Sequence, residues 1–211
     1  MSRTPANPGP VVVFVNLKGG TGKTTLSVHA AAFMEARLVD LDPQGDASDW
    51  AARSRLVDFV QAHGWEDALR HVQEGRARGP VVVDCPPGEG PALRAALSVA
   101  SVAVIPAKGS MQDLRAVGRM MELVDEARAH GNPGLRAALV LNEARPSTSM
   151  AGVAEEALAK VKGAVFLGHV GLRAAFVEAF AAGRVVASGP ALDDLTALVG
   201  RLSRLMKKGS V

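Results

Sequence analysis

The chain has 211 residues, which suits one sizeable globular domain and is short for two. Hydrophobic residues make up 48% and charged residues 21%, so the composition excludes a mainly disordered chain. No apolar run approaches the roughly 20 residues of a membrane-spanning helix, and the proline-containing residues 1–10 predict a flexible lead-in rather than a signal peptide. The single cysteine, Cys85, cannot form an intrachain disulfide, which indicates a reducing, cytoplasmic setting.

The net charge of +3 lies entirely in the last part of the chain, since residues 151–211 carry eight basic and five acidic side chains. After Asp194 the charged residues are all positive: Arg201, Arg204, Lys207 and Lys208. Such a distribution is a mild indication of a polyanionic partner.

Short β-branched runs alternate with longer alanine- and leucine-rich segments along the chain. The apolar runs predict strands at residues 11–15, 37–41, 81–84, 101–105, 135–141 and 164–167. The segments between them predict helices at residues 23–36, 65–78, 91–99, 112–130, 150–161, 172–182 and 191–207. The alternation predicts a single α/β domain over residues 11–211, with a mostly parallel, twisted sheet and helices on both faces.

The first predicted strand leads into the glycine-rich segment NLKGGTGKTT (16–25) and then into a helix. In such a P-loop the backbone N–H groups approach phosphate oxygens, Lys23 reaches the β- and γ-phosphates, and the Thr24 hydroxyl binds Mg²⁺. The residues expected to contact the nucleotide here are Gly19, Gly20, Thr21, Gly22, Lys23, Thr24 and Thr25. The alternative is an incidental glycine turn, which the complete order of strand, loop and helix disfavours.

Acidic residues end two further predicted strands. Asp40 and Asp42 flank Leu41, and alternation along a strand would place both carboxylates on one face, where both could meet Mg²⁺ or its waters. The alternative for Asp42 is a turn before the next helix. Asp84 ends the run at 81–84, and Cys85 beside it is expected to be a small buried residue rather than a nucleophile.

The loop departs from the usual P-loop at its first position, where Leu17 replaces glycine and Lys18 follows. The pattern Lys-Gly-Gly-x-Gly-Lys-Thr resembles the deviant Walker A loop of the ParA/MinD family of partition and positioning ATPases. The resemblance covers about residues 11–190, with its specific motifs in 16–48 and 81–88. It implies a P-loop NTPase fold, ATP and Mg²⁺ as cofactors, weak ATP hydrolysis unless a partner stimulates it, and an ATP-dependent nucleotide-sandwich homodimer.

The same resemblance implies roles for five side chains. Lys18 would cross to the ATP of the other subunit, the alternative being a solvated loop lysine. Asp42, in DPQGDAS, would position the attacking water, and Asp40 and Asp84 would hold Mg²⁺ through its waters. Asn142, at the end of LRAALVLN, would contact the adenine ring, although an asparagine in a turn is nearly as common.

Several branches of the family fit poorly. One cysteine is too few for a shared iron–sulfur cluster, and the absence of tyrosine argues against a kinase with a tyrosine-rich tail. Biosynthetic relatives such as dethiobiotin synthetase are disfavoured by DPQGDAS and Lys18. A small ParA-type protein is expected, without a DNA-binding domain before residue 11 and with a ParB-like or adaptor protein as its stimulating partner.

A ParA-like protein would bind DNA without sequence preference and associate with the nucleoid when ATP-bound. The candidate contacts are Arg173, which is preferred, and Arg184, Arg201 and Arg204. The alternative is a MinD-like protein whose C-terminal amphipathic helix enters a membrane. The leucines of that helix are Leu195, Leu198, Leu202 and Leu205. A final helix packed on the sheet is the commoner outcome for this pattern.

One feature departs from the family. Only sixteen residues separate Lys23 from Asp40, because the glycine-containing turn usual before the second strand is missing. We expect the helix or the strand to be shortened here.

Overall fold

The computed structural model describes residues 8–145 and 149–207. Most of the predicted lead-in, residues 1–7, and the predicted basic residue Lys208 lie outside the described residues. Within the described part of the lead-in, the backbone N–H of Gly9 donates to the carbonyl oxygen of Arg76 (2.7 Å), so residues 8–10 pack on the domain.

Within the described residues seven strands form one sheet: β1 (Val11–Phe14), β2 (Arg37–Asp40), β3 (Phe59–Gln61), β4 (Val81–Asp84), β5 (Val102–Ala107), β6 (Arg136–Ala144) and β7 (Ala164–Gly171). The eight helices of the same residues are α1 (Lys23–Phe33), α2 (Asp46–Ser54), α3 (Trp65–Arg76), α4 (Pro91–Val99), α5 (Met111–Ala129), α6 (Ser149–Ala159), α7 (Ala174–Ala181) and α8 (Gly189–Lys207). Every strand pair is parallel, and the strand order is β3-β2-β4-β1-β5-β6-β7. The predicted fold class is confirmed.

The sheet is buried on both faces, which explains the continuous apolar runs. Side chains alternate between the faces of a strand, so Val11 and Val13 join one core cluster while Val12 and Phe14 join the other. Helices α3 to α6 cover the first face. Helices α1, α2, α7 and α8 cover the second face.

Helix α8 packs against the second face of the sheet. Its Leu195, Leu198 and Leu202 are at most 3% exposed and belong to the core cluster of that face. The apolar stripe of the C-terminal helix is therefore used inside the domain. No helix in the described ranges combines the length and apolarity needed to cross a bilayer.

The turn between α1 and β2 is made without glycine. Helix α1 ends at Phe33, three residues earlier than predicted, and Glu35 adopts a left-handed conformation with φ of 50°. The N–H of Ala36 then donates to the carbonyl of Ala31 (2.9 Å), which closes the helix end. The expected shortening thus falls on the helix, and an exposed glutamate takes the position that glycine usually occupies.

Other differences concern short or extended elements. The sequence prediction missed α2 and β3, which have nine and three residues. Strands β6 and β7 run to Ala144 and Gly171, beyond their predicted ends, and α7 begins at Ala174 rather than at Leu172.

Candidate nucleotide site

The glycine-rich loop joins β1 to α1 at the carboxyl edge of the sheet. Gly20 and Gly22 have φ of 70° and 89°, in the left-handed region that side chains rarely adopt. Gly22 also precedes α1 as its N-cap, and a Cβ placed on it would lie 2.0 Å from Nδ2 of Asn142. The position therefore requires glycine, and the free N–H groups at the start of α1 face the loop.

Two buried asparagines hold the loop to neighbouring strands. Nδ2 of Asn16 donates to the carbonyl of Pro106 (2.7 Å), and its Oδ1 accepts from the N–H of Lys18 (3.0 Å). Nδ2 of Asn142 donates to the carbonyl of Thr21 (2.9 Å). Sequence reasoning missed Asn16, although a polar residue directly after an apolar strand was a visible signal.

Lys23 is almost fully buried beneath the loop. Its Nζ lies 3.4 Å from the carbonyl oxygen of Lys18. Burial lowers the pKa of this ammonium group, while the negative charge of Asp84 opposes the shift. A cation in this position is poorly solvated, so phosphate oxygens in the loop would be strongly favoured partners.

Asp84 and Asp40 end neighbouring strands and are partners in the register of β2 and β4. Neither carboxylate oxygen of Asp84 has a hydrogen-bond partner in the described part of the chain. Burial raises the pKa of Asp84 to about 7, and the charge of Asp40 adds to the shift. The hydroxyl of Thr24 approaches this carboxylate without forming a hydrogen bond of standard geometry. It lowers the pKa of Asp84, but by less than burial raises it.

An unsatisfied buried carboxylate beside a threonine hydroxyl fits a Mg²⁺ site, because Mg²⁺ takes oxygen ligands and retains several waters. In residues 8–145 and 149–207 no group of three or more His, Cys, Asp or Glu lies close enough to hold a metal ion alone. Phosphate oxygens would have to complete such a site.

The two aspartates of VDLDPQGDAS do not share a strand face. Strand β2 ends at Asp40, so the predicted alternation over Asp40 and Asp42 is wrong. The oxygens of Asp40 accept from the N–H groups of Asp42 (3.1 Å) and Ser48 (2.8 Å), which fixes the following loop and the start of α2. Asp42 lies in that loop, half-buried, with Oδ1 accepting from the N–H of Gln44 (3.0 Å).

Lys18 lies at the mouth of the loop and is bound within its own chain. Its Nζ is 2.7 Å from Oδ1 of Asp113, and the side chains are 40% and 2% exposed. Asp113 belongs to a capping box with Ser110 at the start of α5. Burial alone would raise the pKa of Asp113, but hydrogen bonds from Lys18 and Ser110 outweigh it and lower the pKa. Lys18 is therefore not the fully solvated loop lysine of the alternative interpretation.

A cavity of about 270 Å³ adjoins the loop beside Gly22 and Thr25. Its other walls are largely apolar: Leu26, Val170, Leu172, Phe176, Val177 and Phe180. Asn142 also lines this space, so the structure brings the residue expected to contact adenine to an apolar cavity next to the phosphate loop. A flat aromatic base suits such a cavity.

The four candidate DNA contacts differ in their surroundings. Nε of Arg173 is paired with Oδ2 of Asp194 (2.9 Å), and Nη1 of Arg201 donates to the carbonyl of Leu167 (2.6 Å). Arg184 and Arg204 are exposed, and in the described ranges their side chains have no hydrogen bond or ion pair. The structure thus disfavours Arg173, the preferred candidate, because its charge is already neutralised.

Comparison with known proteins agrees with this geometry. The family model for the CobQ/CobB/MinD/ParA nucleotide-binding domain matches residues 12–186. The chain belongs to this family. It is also 33% identical, over 84% of its length and 87% of the relative, to the maintenance of carboxysome distribution protein A of Halothiobacillus neapolitanus. As a small, single-domain ParA/MinD-family protein, it is a P-loop ATPase.

Two solved structures share the fold of this family member. A putative plasmid partition protein from Borrelia burgdorferi bound to AMPPNP has a TM-score of 0.78 at 13% identity, covering 93% of this chain and 99% of that one. Cobyrinic acid a,c-diamide synthase from Mycobacterium smegmatis, with bound ADP and magnesium, has a TM-score of 0.72 at 18% identity, covering 95% and 96%. At these identities the two structures establish the fold alone.

Proposed function

We propose that this family member is a ParA-like ATPase that forms an ATP-dependent nucleotide-sandwich dimer, binds DNA without sequence preference and positions a cargo. The observation that carries the proposal is the pair of lysines in one phosphate loop. Lys23 is buried beneath the loop, whereas Lys18 stands 40% exposed at its mouth.

Within one subunit the site would bind Mg·ATP. The loop N–H groups and Lys23 would hold the phosphates, and the apolar cavity beside Asn142 would take the base. Mg²⁺ would be held by Thr24 and, through water, by Asp84 and Asp40. Once bound, it supplies charge neutralisation at the β- and γ-phosphates.

Hydrolysis would depend on Asp42. Its carboxylate is half-buried in a loop that Asp40 fixes through two backbone hydrogen bonds, so it is positioned yet accessible to water. Orienting the attacking water is the role that the geometry supports. Turnover is expected to be slow until a partner protein completes the site.

Lys18 would act on the partner's nucleotide. Reaching it requires Lys18 to leave Asp113, so the ion pair of the single chain must open when two chains meet. In the dimer its charge would offset the repulsion between two adjacent Mg·ATP sites and stabilise charge that develops during γ-phosphoryl transfer.

The cargo and partner follow from relatives by analogy. The carboxysome distribution protein matches most of this chain, which favours a protein body as the cargo over a plasmid or chromosome. The stimulating partner would be a ParB-like or adaptor protein, and the ATP-bound dimer would reside on the nucleoid. The MinD-like alternative lacks support, because Leu195, Leu198 and Leu202 are buried in the core.

Binding to random duplex DNA tests the proposal. We expect the wild type to bind with ATP and not without nucleotide, because only the ATP-bound dimer has two copies of the DNA surface. Lys23→Ala should bind neither ATP nor DNA, since it removes the buried cation beneath the loop. The control variant is Lys160→Ala, which alters an exposed lysine directly after α6. It should bind ATP and DNA like the wild type. Equal DNA binding with and without nucleotide would contradict the proposal.

A further inference from the structure

Three arginines lie together where α2 and α7 end. Arg53 is in the last turn of α2, Arg55 directly follows that helix, and Arg184 follows the end of α7. The two helix ends touch, because Nη1 of Arg53 donates to the carbonyl of Ala181 (2.5 Å). In addition, a Cβ placed on Gly183 would come 2.8 Å from the Cβ of Arg53. These residues form what we term the arginine cluster: Arg53, Arg55 and Arg184.

The charge of the arginine cluster is not neutralised. All three side chains are exposed. In the part of the chain that the structure describes, Arg55 and Arg184 have no side-chain partner, and Arg53 donates only to carbonyl oxygens. A capping role, in which a side chain binds free carbonyl groups at a helix end, accounts for the position of Arg53 but not for those of Arg55 and Arg184. Asp49 lies four residues before Arg53 and Glu178 lies six residues before Arg184, and neither acid forms an ion pair with a described residue.

Both helices that carry the cluster begin at the nucleotide site. Helix α2 starts four residues after Asp42, and its Ser48 N–H donates to the carboxylate of Asp40 (2.8 Å). Helix α7 lines the cavity for the base along its length with Phe176, Val177, Phe180 and Ala181, and Ala181 is the residue whose carbonyl accepts from Arg53. A base in this cavity would therefore contact the helix end to which Arg53 is bound.

The basic end of α8 lies elsewhere. Asp194, near the start of α8, accepts from the N–H of Gly171 at the carboxyl end of β7 (3.0 Å). The carbonyl of Leu205 accepts from Arg136, the first residue of β6. Helix α8 therefore runs from the nucleotide edge of the sheet to the opposite edge. Arg204 lies at that opposite edge, on a helix that carries no member of the arginine cluster.

We propose that the arginine cluster is the surface through which the nucleotide-bound protein contacts the phosphates of duplex DNA. The inference rests on the proposed function, because it names the surface that this function needs. Guanidinium groups bind phosphate oxygens with two parallel hydrogen bonds, and phosphate contacts carry no sequence preference. Arg53 joins the two helix ends, while Arg55 and Arg184 supply charges that are free for DNA.

The test uses charge reversal on the full chain in the presence of Mg·ATP. Arg55→Glu, Arg184→Glu and the double variant are compared with Lys162→Glu, a matched reversal at an exposed lysine between α6 and β7 on the other side of the sheet. Fluorescence anisotropy with random duplex DNA gives the affinity between about 50 and 200 mM salt. Circular dichroism and thermal unfolding verify that each variant is folded.

We expect each arginine variant to lower the DNA affinity about tenfold at low salt. Each should also reduce the slope of log affinity against log salt by about two, because the dimer carries two copies of each arginine and two phosphate contacts are lost. Lys162→Glu should keep the DNA affinity and the salt slope of the wild type. If the folded double variant binds with the affinity and slope of the Lys162→Glu control, the cluster is not the DNA surface.

Two further outcomes separate this inference from the proposed function. A wild type that binds no DNA with ATP at low salt overturns both. A wild type that instead binds vesicles of phosphatidylglycerol, with binding lost in the double variant, makes the cluster a membrane surface and overturns the assignment to DNA.

Discussion

Replacing Asp113 by asparagine should promote dimer formation, if Lys18 must leave Asp113 to reach the partner's ATP. Asparagine keeps an oxygen that can accept from the N–H of Ser110, so the start of α5 remains capped. The change removes the negative charge that holds Lys18 at 2.7 Å. The ATP-dependent dimer should therefore become tighter, because its formation no longer breaks this ion pair.

The size of the effect follows from the exposure of the pair. Lys18 is 40% exposed, so the pair resembles a surface ion pair and stabilises the single chain by about 0.5–1 kcal/mol. A dimer opens two such pairs, which gives about 1–2 kcal/mol, or roughly a 5- to 30-fold lower dimer dissociation constant. The lowered pKa of Asp113 keeps the wild-type pair intact at neutral pH. The pair weakens only as the pH falls below the ordinary carboxyl value of 3.8.

Analytical ultracentrifugation with a non-hydrolysable ATP analogue measures the dissociation constant. Asp125→Asn is the matched control, because it removes an aspartate paired with Arg128 on the same helix, at the end away from the loop. That variant should dimerise like wild type. A folded Asp113→Asn protein that dimerises no more tightly than the control would refute the idea that Lys18 is withheld by Asp113.

Three other changes test separate parts of the account. Asp42→Ala should bind ATP, lose turnover and accumulate as a dimer, because it removes a group needed mainly in the transition state. Phosphate release at the wild-type rate would exclude Asp42 from hydrolysis. Glu35→Gly should raise the free energy of unfolding in urea by about 0.5–1 kcal/mol by relieving the left-handed conformation at φ 50°, whereas Glu35→Ala should give no gain. Burial lowers the pKa of His29 below 6.5, so the unfolded chain takes up the proton first and stability falls as the pH drops below 6.5. His29→Gln should show a smaller loss of unfolding free energy between pH 7 and 5.5, and an unchanged loss would contradict this origin.

The phosphate loop was predictable because its parts are consecutive in the chain. The strand, the glycines, Lys23 and Thr24 follow one another directly in the sequence. Only the backbone geometry of the loop had to come from the structure. The pairing of Lys18 with Asp113 was not predictable, because the two residues are 95 positions apart. They meet only because β1 and β5 are neighbours in the sheet, which places α5 beside the loop.

Helix α2 carries a weak helical signal in its sequence. Ala47, Trp50 and Ala51 have helical spacing and are buried, while Asp46 and Arg53 suit the two ends of the helix dipole. Nine residues are too few for a strong periodic pattern, so the sequence prediction does not include this helix. With α2 missing, Arg53 and Arg55 could not be considered as DNA contacts.

The arginines near the C-terminal end show the opposite problem. Their positive charge was visible in the sequence, but charge alone does not reveal which side chains are already paired. Asp194 lies 21 residues after Arg173, and the contact depends on how α8 packs beside β7. Solvent-accessible charge is a property of the packed chain.

The central claim is that Lys18 acts across the interface of an ATP-dependent dimer. Size-exclusion chromatography with light scattering, on Lys18→Ala and wild type with a non-hydrolysable ATP analogue, tests it most directly. We expect the wild type to elute as a dimer. Lys18→Ala should still bind the nucleotide, because Lys23 and the loop are intact, yet remain a monomer. If Lys18→Ala forms the same dimer as wild type, Lys18 has no role across the interface and the sandwich arrangement is wrong.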